Sequence, residues 1–200
     1  MDYFELIKGF LLSPVETFQK VRSADLGDAL KYYLVIVVIN AVLSAIVGLL
    51  MVSAIWAMFA PIFEQIGIPF TLAAGAGVVV FAILMIFVQL LMLFIGAAWL
   101  HIFVYLLGGR KGYLQTLKAI SYGSTPSMLI GWIPFIGIIG AIWSFILGIL
   151  GIRELQAMST GRAAGAVILA MIIILIIIIL IIAVFAIAFS EIVPMPINTF

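Results

Sequence analysis

Tyr113 to Ile152 reads YLQTLKAISYGSTPSMLIGWIPFIGIIGAIWSFILGILGI, an apolar run of forty residues with Ile133-Pro134-Phe135-Ile136-Gly137 at its centre. About 20 apolar residues suffice for a helix to cross roughly 30 Å of hydrocarbon, so this run is twice as long as one crossing needs. Read as one helix, it sets Arg110 and Arg153 on opposite faces of a membrane. Read as two helices reversing near Pro134, it keeps both on one face, and it explains why Pro and Gly stand where the chain must turn. The second reading predicts two spans, 113–133 and 135–152.

Working outward, the nine Lys and Arg residues fall into three groups separated by apolar sequence: Lys8, Lys20, Arg22 and Lys31; Arg110, Lys111 and Lys118; Arg153 and Arg162. Cutting the chain into five spans places all three groups on one side. Cationic side chains resist translocation and collect in cytoplasmic loops, so that side is the cytoplasm. The remaining spans are 32–59, 77–107 and 163–189. The segment 60–71 between the first two carries Pro61, Gly67, Pro69 and one acid, Glu64, as an external loop would. The expectation is an all-α, polytopic helical bundle over residues 32–190 with five transmembrane helices. Its amino terminus is cytoplasmic, its carboxyl terminus lies outside, and 191–200 form an external tail.

Composition agrees. With 67% hydrophobic residues, 8% charged and a mean hydropathy of +1.44, too little polar surface remains to clothe a water-soluble globule. A net charge of +1 supplies no basic face for nucleic acid. Without cysteine and with one histidine, thiolate chemistry and His-rich metal sites are excluded. No cofactor is expected. Acid–base pairs, Ser-His-Asp sets and phosphate loops are absent too, so the chain reads as non-enzymatic. The first 31 residues mix acids and bases without a short apolar core, which speaks against a cleaved signal peptide.

Residues 1–31 read as cytoplasmic interfacial helices. From 2 to 12, Asp2, Glu5 and Lys8 recur on one face and Phe4, Ile7, Phe10 and Leu11 on the other, the pattern of a helix lying on a membrane surface. Ser13-Pro14-Val15-Glu16 signals a second helix, with Ser13 and Glu16 placed for a capping box. Phe4, Phe10, Pro14 and Phe18 are the candidate docking surface for a cytoplasmic partner, against the plain alternative that both helices pack beneath the bundle.

Within the spans, polar groups mark candidate sites because an unpaired one in hydrocarbon is costly. They concentrate in the inner half of the third span: Lys118, Ser121, Tyr122, Ser124, Thr125 and Ser127, with Pro126 among them. His101 lies about 9 Å from the inner end of the second span, at a depth matching Lys118 and Tyr122. The candidate cluster is therefore His101, Lys118, Ser121, Tyr122, Thr125 and Pro126, with a hydrogen bond between His101 and Tyr122. Lys118 is also close enough to the interface to snorkel. Asn40, Ser44 and Gln89 read as interhelical bonding residues. Small residues repeat at every fourth position, Gly123, Ser127 and Gly131 on the third span and Gly140, Ser144 and Gly148 on the fourth, which predicts a closely packed hairpin.

Taken together these residues resemble the Yip family of small five-span membrane proteins. The likeness rests on Ser13-Pro14 with Phe18, Gly112-Tyr113, Ser121-Tyr122-Gly123 followed by Pro126, the turn from Pro134 to Gly140, and Gly151 to Ala163 with Met158-Ser159-Thr160-Gly161-Arg162-Ala163. The resemblance implies a trafficking-like or scaffold role. In eukaryotic relatives it further implies binding of Rab-type GTPases at endoplasmic reticulum and Golgi membranes. The chain is more similar to compact prokaryotic members, which implies a plasma membrane location, and GTPase binding is not carried over to it. The leading reading is a partner-binding scaffold whose partners are the bilayer and a second copy or another membrane protein. The alternatives are a small-solute or ion transporter or channel using the polar inner half of span three, and a lipid-handling protein.

Overall fold

The computed structural model describes residues 2–56, 60–67 and 70–192. Nine helices occur among them: α1 (Tyr3–Leu12), α2 (Pro14–Lys20), α3 (Leu26–Trp56), α4 (Ala60–Gln65), α5 (Phe70–Leu106), α6 (Tyr113–Gly123), α7 (Thr125–Ile130), α8 (Gly137–Gln156) and α9 (Thr160–Ile192). Four are long and apolar enough to cross a membrane, over Leu26–Gly48, Gly75–Leu106, Gly137–Gln156 and Thr160–Ala188. They overlap residues 32–59, 77–107, 135–152 and 163–189 of the expected spans, the first of them shifted toward the amino terminus. The expected third span, 113–133, is divided between α6 and α7, neither long enough to cross alone. Residues 57–59 of the first expected span, and most of the tail at 191–200, lie outside the described residues.

Local chemistry sets the helix boundaries. Asp2 caps α1 by accepting from the Phe4 amide at 2.9 Å, and Asp25 caps α3 by accepting from the Asp28 amide at 2.7 Å. The capping box expected at Ser13 and Glu16 does not form. Ser13 sits at φ −139°, ψ 60° without a side-chain cap, and the Thr17 hydroxyl instead donates back to the Ser13 carbonyl at 2.8 Å. The turn between α1 and α2 is tight enough that a Cβ at Gly9 would stand 2.5 Å from Thr17 Oγ1. Helix α8 ends on Ala157 in the left-handed region, φ 54°, with its amide closing onto the Arg153 carbonyl, a conformation that suits glycine better than alanine.

Helix α6 is the centre of the bundle. It packs against α8, α5 and α3, while α7 continues along α8 and α3, and α9 covers α5 and α8 from outside. The largest fully buried side chains, Tyr32, Tyr122, Phe10, Phe18, Ile36, Leu117 and Leu147, gather where α1, α2, α3, α6 and α8 meet. Most of the Ile and Leu of α9 between 172 and 182 is exposed. A continuous apolar surface of that kind requires lipid around it.

Candidate functional site

The polar run of α6 and α7 is built around a helix break. Pro126 has no amide hydrogen, so the carbonyl four residues earlier, that of Tyr122, loses its helical partner. The Thr125 hydroxyl fills the gap, donating to Tyr122 O at 2.6 Å. With its proton so placed, Thr125 Oγ1 accepts from the Tyr32 hydroxyl, 2.8 Å away on α3. Ser124 Oγ donates to Ser121 O at 3.1 Å, Ser127 Oγ to Ser124 O at 2.9 Å, and Ser121 Oγ to Leu117 O at 2.9 Å. From neighbouring helices, Asn40 Nδ2 donates to Met128 O at 2.8 Å and Ser144 Oγ accepts from the Ser127 amide at 2.9 Å. Hydroxyls and helix neighbours re-satisfy the backbone around the break, as any buried interruption of a helix requires. Thr125 and Pro126 thus belong to the break itself, and Ser121 back-bonds within α6.

Lys118 is 3% exposed. Its ammonium reaches the connection between α2 and α3, donating to Arg22 O at 2.9 Å and Ala24 O at 2.7 Å. The expected snorkelling toward water is replaced by capture on two carbonyls, which ties α6 to the turn between α2 and α3.

Above this lock lies an aromatic stack. Phe10 stacks on Tyr122 with centroids 5.1 Å apart and planes at 23°, and meets Phe18 edge-on at 4.9 Å. Tyr32 packs on Tyr122 at 5.2 Å. Phe18 in turn rests on α8, where a Cβ at Gly151 would fall 2.8 Å from its ring. Tyr122 is fully buried, and its hydroxyl has no hydrogen-bond partner among the described residues.

The hydrogen bond expected between His101 and Tyr122 is not made. His101 Nδ1 lies 2.8 Å from Thr116 Oγ1, with its ring edge-on to Tyr113 at 5.8 Å. Matching depth placed the two residues at one level, but they face different neighbours around the helix axes. Thr116 leads to Gln156, a buried side chain missed in the sequence. Gln156 Nε2 donates to Thr116 Oγ1 at 3.0 Å and to Gly112 O at 2.8 Å, and its Oε1 accepts from the Lys111 amide at 2.9 Å. Every bond formed here joins α5, the α5–α6 turn, α6 and α8. The polar letters of Gln115-Thr116 one turn before Lys118 were the signal for Thr116. Gln156, beyond the apolar run, gave none.

The two small-residue stripes meet along the hairpin of α6–α7 and α8. A Cβ at Gly123 would lie 3.3 Å from the Gly148 amide nitrogen, and one at Gly140 would lie 2.9 Å from Pro126 O. Ser127 and Ser144 bond directly, and Gly131 faces Gly137 at the turn. There Phe135 adopts φ 66° and is 89% exposed.

The candidate docking residues separate. Phe10 and Phe18 are fully buried and belong to the core, and Pro14 is half-buried. Phe4 alone of the four stands out, 71% exposed, beside exposed Leu11 and Leu12. Leu6 and Phe10 make the inward face of α1, so the apolar side read from the sequence is shared between protein and surroundings. Among the described residues no three His, Cys, Asp or Glu side chains group as metal ligands.

Helices with apolar exteriors around a polar, hydrogen-bonded seam define the class: an all-α, multi-span membrane protein. Within that class the chain belongs to the Yip1 family, since the Yip1 domain matches residues 8–184. That family is one of non-enzymatic membrane proteins. No curated protein and no solved structure matches the chain.

Proposed function

We propose that the chain is a membrane scaffold that binds partners, in a prokaryotic plasma membrane, with five crossings, a cytoplasmic amino terminus and an external carboxyl terminus. The third crossing in chain order is α6 with α7, 18 residues from Tyr113 to Ile130, about 27 Å at 1.5 Å per residue. Residues 1–31 form the cytoplasmic unit, and its partner is a second copy or another membrane protein, met through the outward side of α1.

One observation carries the preference for a scaffold over a transporter: the polar half of α6 is closed off, with Thr116, Lys118, Ser121 and Tyr122 all buried. Lys118 is held on two carbonyls, the hydroxyls serve the helix break, and Tyr122 is sealed under Phe10 and Tyr32. A transport path would need polar groups facing water near mid-membrane.

The test uses the absence of native cysteine. Ser121→Cys, buried in the seam, is to be treated in sealed vesicles with a membrane-impermeant thiol reagent applied to each side. The scaffold reading expects no reaction until detergent unfolds the chain. Labelling at the rate of exposed Lys111→Cys would reveal a water path and favour transport. A photo-cross-linker at Phe4 is expected to give one defined adduct, and its absence would remove α1 as the contact.

A further inference from the structure

We infer that the inner end of the α5–α9 pair is a headgroup site for an anionic phospholipid, formed by Arg110, Arg162 and Lys111. Two guanidinium groups fifty residues apart in sequence rest on one turn. Arg110 Nη1 donates to Gly109 O at 3.0 Å and also to Tyr105 O, and its guanidinium lies 4.1 Å above the Tyr105 ring. From the start of α9, Arg162 brings Nη1 to 3.4 Å from the Cβ position of Gly108, which holds φ +101°. The turn is anchored from beneath, because a Cβ at Gly109 would stand 3.0 Å from Met158 Sδ. Arg110 is thus held on the turn by two carbonyls and a ring, and Arg162 approaches the same turn from α9.

Neither cation is neutralised. Among the described residues the ion pair formed is Arg153 with Glu154 at 2.6 Å. Arg110, Lys111 and Arg162 are exposed and have no acid within that reach. The Arg110 guanidinium, oriented by two carbonyls and an aromatic face, keeps further N–H groups for a phosphate, to which the planar fork is suited. Directly above, Leu106 is 71% exposed, with Ile102 and Tyr105 also exposed on α5 and Ile168 and Leu169 on α9. Two cations on one turn beside an exposed apolar surface match one chemistry: a phosphate carrying acyl chains. Charge complementarity with the anionic inner leaflet gives the same occupant. The inference rests on the proposed orientation only in placing this turn at the inner leaflet, and binding is measurable without it.

The experiment is native mass spectrometry of the whole purified protein in dodecyl maltoside micelles holding equal amounts of phosphatidylglycerol and phosphatidylcholine. The protein is expected to retain phosphatidylglycerol preferentially, and Arg110→Gln or Arg162→Gln to reduce that preference about fivefold each, the worth of one interfacial cation. Arg162→Lys should keep most of it. Lys31→Gln, an exposed cation on α3, should leave it unchanged. Melting temperatures matching the parent will show that the variants are folded. Equal retention of the two lipids, or an equal loss in Lys31→Gln, would overturn the site. So would displacement of phosphatidylglycerol by millimolar inorganic phosphate, which would assign the cations to a free anion.

Discussion

Helices α6 and α9 illustrate opposite uses of a helix within one bundle. Helix α6 is short and broken, and it buries Thr116, Leu117, Lys118, Ser121, Tyr122 and Gly123 at the centre of the bundle. Helix α9 runs unbroken from Thr160 to Ile192, and its Ile- and Leu-rich stretch lies on the outside. In water the assignment would be reversed. In lipid, apolar side chains gain nothing by leaving their surroundings, so the interior goes to small residues that pack closely and polar residues that bond. Of the bundle helices α3, α5, α6, α8 and α9, the least hydrophobic thus lies at the centre.

That contrast breaks first at Lys118. Lys118→Met removes two charge-assisted bonds to Arg22 O and Ala24 O, and should cost about 3 kcal/mol at roughly 1.5 kcal/mol for each. Unfolding titrated with sodium dodecyl sulfate would measure it, with faster proteolysis near Arg22 as the local sign. An unchanged midpoint would mean that the amino-terminal unit is not held by α6.

The small-residue seam sharpens the comparison because two glycines of its α8 stripe differ in the space around them. Gly140→Ala drives a Cβ to 2.9 Å from Pro126 O and 2.7 Å from Ile130 Cγ1, an overpacking cost of about 1 to 2 kcal/mol. Gly148→Ala meets nothing within 4 Å and should gain about 0.5 kcal/mol from reduced backbone freedom in the unfolded chain. The same titration would show midpoints moving in opposite directions. A shared direction would contradict the packing described. The smallest effect belongs to α9, where exposed Ile176→Ala should change stability by less than about 0.5 kcal/mol. A loss as large as that of Gly140→Ala would place α9 in a protein interface.

These residues also show what could be read from sequence alone. Apolar run length and the pairing of Pro134 with Gly137 reveal the helical membrane class and the reversal at 133–137, because both follow from the bilayer's thickness and the chemistry of turns. The glycine stripes are legible for the same local reason. Tertiary direction is not. An amphipathic α1 shows that Phe4, Phe10 and Leu11 are apolar, but only the fold decides that Phe10 stacks on Tyr122 while Phe4 remains exposed. Likewise, depth along a helix follows from counting residues, whereas the rotation that turns His101 to Thr116 depends on packing between α5 and α6. The hydroxyl-rich stretch at 121–127 resembled a site because polar residues in lipid need partners. The partners are the carbonyls exposed by Pro126 and its neighbours, which no composition reveals.

In the proposed topology, α6–α7 and α8 form a hairpin that carries Phe135 through the bilayer and returns. Its most direct test is thiol labelling of Lys111→Cys, Phe135→Cys and Thr160→Cys, one at a time, in sealed vesicles of known orientation. The account predicts that a membrane-impermeant reagent on the cytoplasmic face modifies the cysteines at 111 and 160 and leaves the one at 135, which reacts only from the opposite face. Modification of all three from the same face would contradict it.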